Sequence, residues 1–306
     1  MQGRLFRGQE IDKQTRLIEI LQDIDQNFDR KVDWSFASLE NLREAAKPNN
    51  PWPYLKVAAV RKFEADKQWR SGVKSFDEFI PAAEEQWRAW LGSEEIWHQI
   101  HRRDVVYAVL LFAMLECWRK SSIQQTMRGL LRFCLDSFKT IPMKEIYFGW
   151  KAIRGIHDSA EQLSVFNESA LKAPKKNSLD RISALAWDLF LFRYCETLMT
   201  QMKGNEFFVP AVTTLDAKLL ATINACPLRA ILMHEDAEYV ETIFDDELAF
   251  HQCFEVSMDD SIRKNYNDPA RQVMAGTISP HGLSEIILHL ESEVLKMVAS
   301  NAGSIS

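Results

Sequence analysis

Apolar residues recur every three to four positions over most of this chain, which is the spacing of amphipathic helices. The clearest cases are residues 10–46, 104–120 and 283–299, and the last of these is the most regular. Within the second case, the run from Val105 to Leu115 carries no charge, and its length favours a buried helix over a strand. The pattern therefore predicts a mainly helical protein.

Two segments in the second half of the chain depart from the helical spacing. Residues 207–213 are predicted to be extended, although Pro210 restricts such a strand to a sheet edge or a bulge, because proline cannot donate to the ladder. Residues 228–233 are a second strand candidate. We therefore expect a mainly α fold with a small α/β portion. Residues 1–100 are predicted to be a helical N-terminal region, and residues 101–306 a helical and α/β region. The part of the second region from residue 235 is predicted to be an acidic helical section.

Composition places the chain among ordinary globular proteins, with 46% hydrophobic and 26% charged residues. The five cysteines are odd in number and form no Cys-x-x-Cys pair, so they are interpreted as small core hydrophobes of a reducing compartment. The chain begins without the apolar segment of a secretory signal, and its longest uncharged apolar run, 11 residues, is too short to span a bilayer. We expect a cytoplasmic protein that does not enter a membrane.

The net charge of -6 conceals a separation of charges along the sequence. Residues 119–154 contain eight basic residues and two acidic ones, whereas residues 235–260 contain ten carboxylates and neither lysine nor arginine. The basic stretch is a candidate surface for nucleic acid, and the acidic stretch is a candidate surface for a protein partner. The alternative is that the two regions attract each other or another subunit, and then bind neither nucleic acid nor a protein partner.

Asp188 is the only charged residue in the apolar run from Ala184 to Phe192. Residues three and four positions away share its face of a helix, and all of those are apolar. An isolated carboxylate removed from water costs more free energy than a domain can offset. Asp188 must therefore be protonated, pair with a cation or bind a metal.

The alternative to a metal at Asp188 is a salt bridge to an arginine on a neighbouring helix. Arginine pairs with carboxylates in bidentate geometry, and the candidates are Arg128, Arg132 and Arg154. Glu116 offers a comparison, since it follows an equally apolar run but has Arg119 three residues later. Glu116 therefore needs no special explanation.

A second acidic residue, Asp216, follows the predicted strand over residues 207–213 and opens a helix. Ligand groups gather at the carboxyl ends of strands in α/β sheets, and Asp188 lies on the helix just before this strand. Two or three convergent carboxylates hold Mg²⁺ or Mn²⁺ for phosphodiester cleavage. The alternative is structural, because an aspartate at a helix start is favourable without any ligand.

The order of these segments resembles the C-terminal half of a PIN-type nuclease domain. In that family a helix carries an acidic residue, a strand then ends in Thr-x-Asp before a helix, and another strand follows; Asp188, Thr214-Leu215-Asp216 and residues 228–232 match that order. The resemblance implies a parallel sheet flanked by helices, with a divalent-metal site that cleaves RNA or single-stranded nucleic acid. It assigns Asp188 and Asp216 as metal ligands, with Asp180 as a rival for the first and Glu145 as the helical glutamate. The family's first acidic residue, at the end of an apolar strand, has no counterpart that we can place.

Three functional hypotheses follow from the sequence. The first is a Mg²⁺- or Mn²⁺-dependent nuclease in which Asp188, Asp216 and Glu145 bind the metal and residues 119–154 hold the nucleic-acid backbone. The second is a non-catalytic helical protein that binds a protein partner through residues 235–260. The third is an acidic mimic of nucleic acid built on the same residues, although their apolar members are more simply one side of an amphipathic helix.

Overall fold

The computed structural model describes most of the chain from residue 76 onward and two short pieces before it. The described residues are 35–40, 57–58, 76–158, 161–200, 209–212, 214, 216–234, 240–274 and 278–303. The chain divides into two compact units, residues 1–100 and 101–306. The helices predicted over residues 10–34 and three carboxylates of the acidic region lie outside the described residues, namely Glu235, Asp236 and Glu238.

The described elements of residues 1–100 are helical. They are α1 (Ser35–Leu39), a 3₁₀ turn (Phe76–Phe79), α2 (Ile80–Leu91) and the start of α3 (Glu94–Trp118). Pro81 lies in the first turn of α2, where its missing N–H has no helical partner to lose, and Ala83 and Trp87 form the buried side of that helix.

Residues 101–306 are also mainly helical, which confirms the predicted class. After α3 come α4 (Ile123–Phe138), α5 (Met143–His157), a 3₁₀ segment (Glu161–Asn167), α6 (Ser169–Lys172), α7 (Ser178–Met199), α8 (Ala217–Ala225), α9 (Glu247–Ser257), α10 (Asp260–Tyr266), α11 (Pro269–Met274) and α12 (Pro280–Gly303). Among the helices that the structure describes, none combines the length and the apolar character needed to cross a membrane.

The core of residues 101–306 is formed largely by α3, α4, α5 and α7. The side chains from Val106 to Leu111 of α3 are at most 2% exposed, as the apolar run in the sequence predicts. Gly155 allows α5 to approach the 3₁₀ segment closely, because a Cβ at this position would lie 2.3 Å from the Cβ of Phe166. This close approach packs α5 directly against the 3₁₀ segment.

The predicted strand over residues 228–233 is confirmed, but the sheet that contains it is not parallel. Strands β1 (Leu228–Met233) and β2 (Val240–Phe244) form a two-stranded antiparallel sheet in which Ile231 lies opposite Thr242. A parallel pair needs a crossover of about a dozen residues or more, and residues 234–239 are too few for one. The sheet is therefore a hairpin.

The other strand expected from the sequence is not observed where the structure describes it. Residues 209–212 have neither strand nor helix, and Val209 and Val212 are 55% and 43% exposed. Pro210 cannot donate to a ladder, and the hairpin pairs β1 with β2 instead. The prediction of a strand leading directly to Asp216 was wrong over these residues.

Candidate functional site

Asp188 lies on α7, whose side chains are buried on nearly all sides. Its neighbours Ala186, Trp187, Leu189 and Phe190 are at most 7% exposed, whereas Asp188 itself is half-buried. This arrangement agrees with the expectation that the carboxylate lies in apolar surroundings.

The side chain of Asp188 contacts helix α8. The Oγ1 hydroxyl of Thr222 lies 3.4 Å from Oδ2 of Asp188 and 3.0 Å from the backbone carbonyl oxygen of Lys218, so its single hydrogen is shared between these two acceptors. Thr222 is itself fully buried. A long hydrogen bond from a shared hydroxyl stabilises a carboxylate much less than a direct cation partner does.

Burial raises the pKa of Asp188 to about 6. The positive charge of Arg181 opposes this shift, the negative charge of Asp216 adds to it, and the Thr222 hydrogen bond and Lys218 oppose it. Arg181 and Lys218 are both paired with Glu168. Among the described residues, Asp188 therefore has cations in its neighbourhood but forms no salt bridge of its own.

The arginines expected from the sequence to pair with Asp188 have other partners. Arg128 and Arg132 both bind Asp259, and Arg154 binds Asp158 with an N–O distance of 3.3 Å. The expectation of a salt bridge from Asp188 to one of these three arginines was wrong.

Asp216 caps α8. Its Oδ1 accepts hydrogen bonds from the backbone N–H groups of Lys218 at 2.8 Å and Leu219 at 3.3 Å. An N-cap aspartate satisfies backbone donors that have no partner within the helix, and its charge is favourable at this end. Asp216 is exposed, and its negative charge adds to the rise in the pKa of Asp188, so the two predicted ligands lie within electrostatic range of each other.

Glu145, the third predicted ligand, belongs to a different cluster. It lies on α5, is 6% exposed, and its Oε1 is 3.0 Å from Nε of Arg193 on α7. Five residues separate Asp188 from Arg193, so their side chains leave α7 about 140° apart around the helix axis. Glu145 therefore contacts a different side of α7 from the side on which Asp188 lies.

Around Arg193 lies a set of charged side chains that the sequence did not predict, which we call the buried ion network. Arg193 binds both Glu145 and Glu196, and Glu196 also accepts hydrogen bonds from the backbone N–H and the hydroxyl of Thr242 in β2. Arg102 of α3 donates to Thr197 beside it. The network thus joins α3, α5, α7 and the hairpin.

Electrostatics in the buried ion network favour the charged form of Arg193. Burial alone would lower the pKa of Arg193, but Glu145 and Glu196 outweigh burial and raise that pKa above its usual value. Burial, and next the charge of Arg193, lower the pKa of Arg102. Arg193 and Glu196 are three residues apart on one helix, and this spacing was the available sign in the sequence.

These positions give the chemistry that the candidate site can perform. Asp188, with a pKa of about 6, can gain or lose a proton near neutral pH. Two carboxylates, Asp188 and Asp216, lie beside two cations, Arg181 and Lys218, which is a mixed cluster rather than a cage of oxygen ligands. Within the described ranges, no group of three or more His, Cys, Asp or Glu side chains is arranged to hold a metal ion.

The basic and acidic regions of the sequence attract each other in the fold, and α5 makes the first part of this contact. Lys144 binds Glu247 with an N–O distance of 2.7 Å, and Lys151 binds Asp246 at 2.5 Å. The hydroxyl of Tyr147 donates to the other oxygen of Asp246 at 2.6 Å. The first turn of α9 is thereby fixed to α5.

Helix α4 makes the second part of the contact. Both Arg128 and Arg132 pair with Asp259, and the side chain of Gln124 donates to the backbone carbonyl of Val256 at 2.8 Å. Four basic residues of the predicted nucleic-acid surface thus neutralise carboxylates of residues 235–260. These contacts match the alternative in which the basic and acidic regions attract each other.

Arg119 of the basic region pairs within its own neighbourhood. It binds Glu116 at 2.5 Å, as the sequence predicted, and Glu293 of α12 at 3.7 Å.

Part of the acidic region remains on the surface. Leu248, Gln252, Glu255 and Val256 are exposed along one side of α9, where the spacing of three to four residues puts them in line. Leu248 is 73% exposed and Val256 is 61% exposed. We call these four residues the α9 stripe; exposed carboxylates lie beyond its two ends, at Asp245 and Asp260.

Comparison with known proteins adds no assignment, since no protein-family model, curated protein or solved structure matches the chain.

Proposed function

We propose that this chain is a non-catalytic helical protein that binds a protein partner through the α9 stripe. The observation that carries this proposal is the exposure of Leu248 and Val256 on a helix whose opposite side, with Phe250 and Phe254, is buried. Exposed apolar residues that line up with a polar border are typical of interaction surfaces, whereas single exposed apolar residues are ordinary.

The charges around the α9 stripe specify the partner. Asp246, Glu247 and Asp259 are neutralised internally, but Asp245, Glu255 and Asp260 are exposed at the stripe and its ends. Glu255 pairs with Arg263, and both side chains remain about half exposed. A partner segment with apolar residues flanked by lysine or arginine complements this surface, as in the docking of an amphipathic helix.

Titration with synthetic peptides tests the proposal. We expect a helical peptide of leucine and lysine to bind the full chain in a fluorescence anisotropy assay, and the matching peptide of leucine and glutamate not to bind. Added salt weakens the binding because it screens the surface charges. Leu248→Lys is expected to weaken binding about tenfold or more, as the loss of a central apolar contact does.

The matched control is Val273→Lys, which places the same charge on another exposed apolar position, 83% exposed, on α11. This variant should bind the leucine–lysine peptide as the unaltered chain does. Equal binding of both peptides, or equal effects of Leu248→Lys and Val273→Lys, would contradict the proposal.

A metal-dependent nuclease is the second candidate, and one observation favours it. The negative charge of Asp216 adds to the rise in the pKa of Asp188, and carboxylates near each other attract a divalent cation. Against it stand the cap role of Asp216, the pairing of Glu145 with Arg193, and the use of basic residues to bind the acidic region. Binding of Mn²⁺ by Asp188 and Asp216 is tested by the melting temperature of the chain with and without the metal.

A further inference from the structure

Helix α12 has one buried side and one exposed side. The buried side consists of Leu283, Ile287, Leu290 and Val294, each at most 5% exposed. This spacing of three to four residues explains why residues 283–299 give the most regular helical pattern in the sequence. The opposite side of the helix is free to meet another surface.

The exposed side of α12 carries two leucines. Leu288 is 65% exposed and Leu295 is 55% exposed, and because they are seven residues apart they lie two turns apart on the same side. Small uncharged residues continue this line before, between and after them, at Ser284, Ser292 and Ala299. We call these five residues the α12 stripe.

We propose that the α12 stripe pairs with the α12 stripe of a second copy of this chain, with the two helices antiparallel. In such a pair, related by a twofold axis, Leu288 of one copy lies opposite Leu295 of the other. Symmetry then repeats this contact at an equal distance on the other side of the axis. Ser292 lies near the axis, where a small side chain lets the two helices approach each other closely.

Charges along one edge of the α12 stripe make the antiparallel arrangement self-complementary. Glu285 and Lys296 are 11 residues apart, so they project about 20° from each other around the helix axis, near opposite ends of the stripe. When the stripe meets its own reversed copy, the same edges face each other. Glu285 then lies close to Lys296 of the second copy, and the twofold axis produces this pair twice.

Both charged side chains are free to make these contacts. Glu285 is 68% exposed and its Oε1 lies 3.3 Å from Nε2 of His281, while Lys296 is 70% exposed and its Nζ lies 2.8 Å from Oε1 of Glu293. These are exposed pairs within one helix, which contribute little to stability. Exchanging them for contacts between copies therefore costs little.

The size of the α12 stripe sets the strength of the dimer. From residue 284 to residue 299 the helix advances about 22 Å, so one pair of helices buries less than the roughly 1,600 Å² of a standard interface. We therefore expect reversible association that depends on protein concentration. The pairing uses a different surface from the α9 stripe and does not rest on the proposed function.

Charge exchange in the full chain tests the dimer by sedimentation equilibrium over a concentration series. Glu285→Lys alone brings two lysines together at each contact, and Lys296→Glu alone brings two glutamates together. Each variant should raise the dimer dissociation constant about tenfold or more. An equimolar mixture of the two variants should form a dimer again, because every contact in a mixed pair joins opposite charges.

Recovery in the mixture shows that both variants are folded, so their failure to dimerise alone cannot be attributed to unfolding. The matched control is Lys264→Glu, an exposed charge reversal on another helix, α10, which should leave the association unchanged. A chain that stays monomeric at 35.4 kDa over the series, or a dimer that neither single exchange weakens, or a mixture that does not recover, overturns the proposal.

Discussion

Replacing Arg193 with methionine is expected to lower the free energy of unfolding by about 3–5 kcal/mol, the loss typical when one member of a buried ion pair is removed. The variant leaves Glu145 and Glu196 without their shared guanidinium, and these residues are only 6% and 4% exposed. Arg102 is the remaining cation of the buried ion network, and its own hydrogen bond goes to Thr197. Two buried carboxylates would then depend mainly on that single charge.

Urea unfolding followed by far-ultraviolet circular dichroism measures this loss. The matched control is Arg119→Met, which removes an arginine that also binds two glutamates, Glu116 and Glu293, but on the surface with 48% of its side chain exposed. Exposed pairs contribute about 0–1 kcal/mol, so the control should unfold nearly like the unaltered chain. Equal losses in the two variants would show that the buried ion network does not hold α3, α5, α7 and the hairpin together.

Replacing Asp188 with asparagine is expected to stabilise the protein at pH 8, by about 1–3 kcal/mol. Burial raises the pKa of Asp188 from 3.8 to about 6, and each pKa unit corresponds to about 1.4 kcal/mol. The lower part of this range applies if solvent reaches the half-buried carboxylate. Asparagine keeps an oxygen that can accept the Thr222 hydrogen bond and removes the charge that burial disfavours.

The gain from Asp188→Asn depends on pH in a defined direction. Between pH 3.8 and 6 the folded chain holds a proton on Asp188 that the unfolded chain has lost, so the stability of the unaltered protein decreases as the pH rises through this window. Above pH 6 the full penalty of the charged carboxylate is present. The advantage of asparagine is therefore complete above pH 6 and disappears as the pH falls toward 3.8.

Urea unfolding at several pH values from 8 to 4 measures this profile. Asp180→Asn is the matched control, because it removes an exposed carboxylate from the first turn of the same helix, where a negative charge is favourable. This control should bring no gain at pH 8. A lower stability of Asp188→Asn at pH 8 would mean that Asp188 holds a cation partner, contrary to the geometry around it.

The sequence was sufficient to predict the helices because their apolar spacing is a local property. The uncharged run from Val105 to Leu115 became the buried part of α3, and residues 283–299 became most of α12. Glu116 and Arg119 paired as expected, since both lie on one helix at a spacing that fixes their distance.

Contacts between distant segments were not predictable in the same way. The direction of the sheet depended on the partner of β1, and β2 lay in a region that the sequence marked as an acidic helical section. The apolar surroundings of Asp188 were evident from its neighbours. Of the two cations near it, Arg181 lies two turns earlier on the same helix, whereas Lys218 comes from α8 rather than from α4 or α5. Helical spacing fixes which residues share a face and leaves open which helix covers that face.

The charge pattern of the sequence identified the basic and acidic regions correctly but did not decide whether they bind each other or external partners. Attraction between residues 119–154 and residues 235–260 was one of the stated alternatives, and the pairs from Lys151 to Asp246 and from Arg132 to Asp259 realise it. Which carboxylates would remain on the surface was not predictable, because it depends on how α9 turns toward α4 and α5. The exposure of Leu248 and Val256 follows from that orientation of α9 and could not be predicted from the sequence.

Whether Asp188 and Asp216 hold a metal is tested most directly by the melting temperature with and without millimolar Mn²⁺. A cation that binds only the folded chain must raise its melting temperature. We expect the same melting temperature in both conditions for the unaltered chain. A rise of several degrees that Asp188→Asn and Asp216→Asn each abolish would show that these carboxylates bind the metal, contrary to the proposed function, and would restore the nuclease hypothesis.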